Sequence, residues 1–259
     1  MLYALSCPLA QYYSDYSGIA SHSNAYGYDA AVALGFMLLV LTGIIGAVVQ
    51  NRMLANMKKF SAQPAGMTGA VAARMMLDSY GLHDVKITRV RGMLTDHYNP
   101  ANRTVNLSDT VYSQATVAAV AVAAHECGHA VQHATAYPWL GLRSQLVPLV
   151  NIGSRLGQIL LIVGLLLLTA GSGATIAWIG LAFYAATTIF ALVTLPVEFN
   201  ASGRALAWLR SSGVASGPMH ANASTALRWA AMTYVAGALS SIAMLLYYAS
   251  LILSSRSRR

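Results

Sequence analysis

Of the 259 residues, 56% are hydrophobic and only 9% charged, against the roughly 25% charged residues of an ordinary soluble domain. That balance argues against a soluble enzyme and for an integral membrane protein. The net charge of +8 does not suggest nucleic acid binding, because the basic residues are grouped around apolar runs as they are in membrane proteins.

Residues 1–29 are rich in Tyr and Ser, carry Asp15 and Asp29 as their only charges and have no basic n-region, so no cleavable signal is expected. They read as a poorly ordered or interfacial segment. Ala30 to Val49 is an uncharged run of 20 residues, long enough for one span, placed at 30–50. Arg52, Lys58, Lys59, Arg74, Lys86, Arg89, Arg91 and Arg103 follow, as in a cytoplasmic segment. The bias therefore puts the N-terminus outside and residues 51–147 in the cytoplasm.

Within that segment Thr68 reads as the N-cap of a helix reaching about Tyr80, ended by Gly81, with Ala70, Ala73, Met76 and Leu77 as its apolar stripe. Val85 to Val90 and Arg103 to Leu107 alternate apolar and polar residues, as half-buried strands do. Gly92 and Asn99-Pro100-Ala101-Asn102 supply turn chemistry between them, which predicts an antiparallel pair. A helix from about Ser113 to Ala134 follows. The order helix, short sheet, helix is that of a zincin N-lobe, in which a sheet edge can hold an extended substrate.

The last of these helices carries His125-Glu126-Cys127-Gly128-His129, the HExxH spacing of a zinc hydrolase. Positions i and i+4 share a helix face, so two imidazoles can meet one metal ion, and Glu126 is placed to act on a water polarised by it. Cys127 reads as a small packing residue. A span carrying the motif is disfavoured, since only ten residues of apolar helix precede His125, and Ser108, Asp109 and Gln114 lie just upstream.

Leu156 to Val197 has no charge over 42 residues and is interrupted by Gly171-Ser172-Gly173, predicting a hairpin of two spans over 148–197. A third-ligand helix and loop (198–228), a fourth span (229–253) and a basic tail (254–259) complete the expected organisation. Four spans leave Arg256, Arg258 and Arg259 outside, against the positive-inside bias, and the first span is given the greater weight.

A catalytic zinc usually has three protein ligands and an open position. The chain has two glutamates, Glu126 and Glu198. Glu198 is the expected third ligand, because two intervening spans return the chain to the side of the motif. A lone interfacial carboxylate favoured by a helix N-terminus is the alternative. His133, eight residues after His125, is about 12 Å further along the axis and out of reach. His97 and His220 are weaker candidates, and His220 reads as a loop residue.

Several segments together carry a family resemblance: Gly66-Met67-Thr68-Gly69-Ala70, Asp96-His97-Tyr98, Thr104-Val105-Asn106-Leu107-Ser108, Ala121-Val122-Ala123-Ala124-His125-Glu126, and Leu195-Pro196-Val197-Glu198-Phe199-Asn200-Ala201-Ser202. In these the chain resembles the YugP-like neutral zinc metallopeptidases, small bacterial membrane proteins, over about residues 30–253, with a distant likeness to the HtpX group. Cys127 stands where the family often has Val, Asn99 where Asp is common, and His133 where an acidic residue is frequent.

The resemblance implies a membrane-bound zinc endopeptidase of the bacterial plasma membrane. Sequence and resemblance together predict a mainly α membrane protein with four transmembrane helices and a small α+β zincin-like cytoplasmic domain. One zinc ion is expected on His125, His129 and Glu198, with Glu126 as general base and Asn200 and Ser202 orienting the ligands. His97 or Tyr98, in the loop between the strands, is the candidate oxyanion donor. The expected partners are peptide or protein substrates, membrane proteins among them, and the bilayer, with no nucleic acid. Two rivals are a site-2-type intramembrane protease and a non-catalytic membrane protein with a structural zinc site. The former uses an aspartate ligand, and no aspartate follows Asp109.

Overall fold

The computed structural model describes the backbone of residues 8–169 and 172–257 and the side chains of residues 29–168 and 172–255. Arg258, Arg259 and part of the Gly171-Ser172-Gly173 turn lie outside the described residues, as do the side chains of residues 1–28 and of Arg256. The elements are α1 (Pro8–Ser61), α2 (Gly69–Ser79), β1 (Lys86–Val90), β2 (His97–Asn99), β3 (Thr104–Ser108), α3 (Asp109–Ser113), α4 (Val117–Ala134), α5 (Pro138–Thr169), α6 (Ala174–Ser211) and α7 (Gly217–Ser257). Among the described residues, four stretches are long and apolar enough to cross a bilayer: Asp29–Ser61, Pro138–Leu168, Ala174–Ser211 and Gly217–Ser255.

The chain divides into two compact units, and each of the four long helices contributes to both. One holds the chain up to Thr42, Asn151–Thr187 and the chain from Ser240 onward. There α5 and α6 approach closely through small residues. A Cβ on Gly164 would lie 2.4 Å from the Ala177 nitrogen, and one on Gly180 would lie 2.5 Å from that of Leu161. Close backbone approach is how helices associate where lipid removes the hydrophobic drive between them. Leu34, Phe36, Met37, Leu41, Ile159 and Ile162 are exposed, an apolar surface suited to acyl chains.

The second unit holds Gly43–Val150 and Thr188–Leu239. Its core joins the inner faces of α2 and α4 to β3, with Met76, Leu77, Val105, Leu107, Ala121 and Ala124 fully buried. Thr68 caps α2 by accepting the Val71 N–H, and Gly81 ends it at φ +72°. The buried stripe uses Ala72 rather than Ala70. Thr116 caps α4 in the same way, through the Ala119 N–H.

Three expectations differ. The motif helix starts at Val117, not Ser113, because Ser113 closes the short helix α3 and Thr116 is extended, bridging to Pro64. The strands β1 and β3 pair in parallel, not antiparallel. The turn at Asn99–Arg103 does make an antiparallel hairpin, but with β2 as the partner of β3, in sheet order β1-β3-β2. The unread strand β2 fills one side of β3 and leaves β1 the other. Finally, no new helix begins at Glu198: α6 runs unbroken through Pro196, and α7 already starts at Gly217, so His220 is helical. Proline removes a backbone donor inside a helix. Side chains from α4 and the segment after it also bond to this stretch, the Tyr137 hydroxyl donating to the Pro196 carbonyl and Gln132 Nε2 to that of Val197.

Candidate metal centre

The site is built where α4 crosses α6. A Cβ on Gly128 would lie 2.5 Å from the Ala201 carbonyl oxygen, so the third position after His125 must be bare for the helices to meet. That closeness brings residues 69 positions apart together. Nε2 of His129 is 3.6 Å from Oε2 of Glu198, and Nε2 of His125 is 3.3 Å from the same oxygen. The two imidazoles stand edge to face, with ring centres 4.8 Å apart.

These three side chains offer ligand atoms all within 4.8 Å of one another. In a tetrahedral zinc site with bonds of about 2.0–2.1 Å, ligand atoms lie roughly 3.3 Å apart, so the two Nε2–Oε2 distances are already close to that value and the widest separation in the cluster would close on binding. Glu198 is 2% exposed, yet among the described residues its Oε2 accepts no hydrogen bond. An unpaired buried carboxylate oxygen is costly unless a cation occupies the space before it. The donor set and its geometry fit zinc.

The surrounding bonds leave the Nε2 atoms free and engage the others. His125 Nδ1 is 3.0 Å from the Ser202 hydroxyl, and His129 Nδ1 is 3.0 Å from Gln132 Oε1. Gln132 Nε2 donates to the Val197 carbonyl and, at 3.0 Å, to Asn200 Oδ1, which also accepts from Arg204 Nε. Arg143 donates to Glu198 Oε1 at 3.1 Å. Each of the three side chains is thus held by a partner on the atom turned away from the shared point, the arrangement a metal site requires.

Ser202 therefore touches His125 directly, whereas Asn200 reaches the cluster only through Gln132. Gln132 and Arg143 were not foreseen. Gln132 sits at i+3 from His129 on one helix face, a spacing that could have flagged it, whereas Arg143 meets Glu198 only through the tertiary fold.

Burial disfavours a charged His129 ring, but Glu198 and Glu126 outweigh it and raise its pKa. Burial, reinforced by Glu126, raises that of the Cys127 thiol, which stays protonated and donates to the Ala73 carbonyl. Cys127 is a packing residue.

Glu126 Oε2 accepts the Tyr98 backbone N–H at 3.0 Å, so β2 reaches the motif through its main chain. The Tyr98 hydroxyl, 2.8 Å from His133 Nδ1, is half-buried, and burial raises its pKa. The exposed His97 ring turns back to the Thr95 carbonyl. A cavity of about 190 Å³ opens on the site, lined by His125, Glu126, Glu198 and Tyr234 among others, while His97 and Tyr98 are not in its lining.

Residues 35–253 match the family profile described as "Putative neutral zinc metallopeptidase". The chain is also 41% identical over 209 residues to the "Putative membrane protease YugP" of Bacillus subtilis (strain 168), covering 80% of this chain and 91% of that one. No solved structure matches. With the profile covering most of the chain and the cluster of His125, His129 and Glu198 able to hold a metal, this protein belongs to the neutral zinc metallopeptidase family.

Proposed function

We propose that the protein is a membrane-bound zinc metalloendopeptidase of the bacterial plasma membrane, with its active site on the cytoplasmic side. One observation carries the reading: two Nε2 atoms and an otherwise unpaired buried carboxylate oxygen converge on one point beside an open cavity. His125, His129 and Glu198 hold a single zinc ion. Bound there, zinc supplies Lewis acidity, lowering the pKa of a water and polarising the scissile carbonyl.

Glu126 takes the proton of the attacking water and delivers it to the leaving amine. The Tyr98 N–H holds that carboxylate in place. Ser202 and Gln132 fix the imidazoles, Asn200 steadies Gln132, and Arg143 fixes Glu198. The cytoplasmic placement rests on the basic residues of 51–147. An open cavity argues against a closed structural zinc site, and a glutamate as third ligand against a site-2-type enzyme.

The test is cleavage of casein or a transmembrane peptide by protein purified free of other proteases. A chelator should abolish cleavage and added zinc restore it; chelator-resistant cleavage would reject the reading.

The oxyanion donor is the remaining role. His97 and Tyr98 are carried forward from the sequence, and Tyr234 joins them as a hydroxyl in the wall of the metal cavity. We expect Tyr234→Phe to lower turnover by about 10²–10³-fold with zinc content unchanged, the usual cost of one oxyanion donor. His97→Ala and Tyr98→Phe measured beside it decide among the three. A full-rate Tyr234→Phe enzyme would remove Tyr234 from the role.

A further inference from the structure

Beside the metal cavity lies a second and larger one of about 510 Å³, within the roughly 300–1,000 Å³ range of ligand sites. The two share Met57, Leu94, Asp96 and Val122, so they adjoin across these four side chains. Val122 sits one turn before His125 and Glu126 on α4, which places the larger cavity directly beside the reacting centre.

The wall of this recess is apolar, formed mainly by Leu54, Met57, Met93, Leu94, Val111 and Val122. Its polar end is already satisfied: the Asp96 carboxylate accepts from the Ser108 N–H at 2.7 Å and from its hydroxyl at 3.0 Å. Lys58, Gln114 and Thr116 also line the recess, but most of the surface it presents to a guest is apolar. Methionine adapts to guests of varied shape, and two of the six are methionines.

The rim carries its own signature. Met93 is 81% and Leu94 60% exposed, a costly placement for two adjacent large apolar residues. Leu94 also adopts φ +57°, a left-handed conformation unusual for leucine, just after Gly92 at φ +108°. Strain and apolar exposure together in a loop beside the reacting centre are explained by a bound partner that covers it.

Position along α1 narrows the partner. Leu54 and Met57 lie five and eight residues past Val49, the end of the charge-free run, or about 8 and 12 Å along the helix axis. The recess thus stands within two turns or so of the apolar stretch that fits a bilayer.

Resting on the function proposed above, we propose that this recess is the specificity subsite. It takes a large apolar side chain next to the scissile bond, presented by a segment of a membrane protein substrate that has just left the bilayer.

The test uses full-length Glu126→Gln protein in lipid nanodiscs, loaded with zinc, and a peptide carrying p-benzoylphenylalanine. Crosslinks should map to Met57 or Met93. A phenylalanine peptide should compete at least tenfold better than its aspartate counterpart. Crosslinks elsewhere, or labelling of these methionines by a photoactivatable phospholipid that the peptide does not displace, would overturn the proposal.

A second arm compares cleavage by wild-type protein and Leu54→Glu. The ratio of phenylalanine to alanine substrates should fall about tenfold or more, with lysine substrates gaining. An unchanged ratio overturns the subsite while leaving the peptidase reading intact. Crosslinking in the recess without any wild-type cleavage does the reverse.

Discussion

Glu198→Ala protein, purified in detergent, is expected to lose bound zinc almost completely, with affinity lowered by more than about 100-fold. Changing a residue that merely supports a ligand typically costs 10–100-fold, and in the proposed site Glu198 supplies a ligand atom itself. It is also the sole carboxylate among the three proposed ligands, so its loss would remove the charge that offsets a bound cation. Metal analysis after dialysis reads the effect directly.

The substitution also leaves Arg143 without its partner, which could unsettle the fold independently of metal. Glu198→Gln separates the two causes. It keeps the volume and an oxygen to accept from Arg143, but removes the negative charge that favours zinc. Unfolding temperatures near wild type with zinc lost would assign the effect to ligation. Wild-type zinc content in Glu198→Ala would remove Glu198 from the metal site.

Glu126→Gln is expected to behave oppositely, keeping zinc and losing proteolysis by about 10²–10⁴-fold, the usual contribution of general acid–base catalysis. Glu126 is buried, and the bond it accepts from the Tyr98 N–H can be accepted equally by a glutamine oxygen. The side chain should therefore stay where it is, and only its basicity should vanish. Zinc content and the rate on casein, measured on the same preparation, give the two readouts. Near-normal cleavage with zinc bound would deny Glu126 its part in the proton transfers.

The apolar runs announced four helices able to cross a membrane, because uncharged length needs no tertiary context to be read. The cap at Thr68 and the stop at Gly81 were legible for the same reason, being local backbone chemistry. The sheet was not. Three residues of β2 are too short to show a period, yet they decide that β3 pairs antiparallel with β2 and parallel with β1.

Helical periodicity alone placed His125, Glu126 and His129 on neighbouring positions of one turn, since that depends only on 3.6 residues per turn. Counting the intervening spans could nominate Glu198 but not deliver it. Delivery depends on a bare Gly128 letting the Ala201 backbone come close, and on a helix that continues through Pro196. Gln132, Arg143 and Tyr234 join the site for the same reason. Gln132 meets His129 within α4 but is held by bonds to α6, Arg143 takes its place through a bond made across elements, and Tyr234 through the cavity wall that α7 shares with α4 and α6. Spacing along one element is set by covalent geometry and can be counted from the chain, whereas contact between elements is set by packing and exists only once the chain has folded.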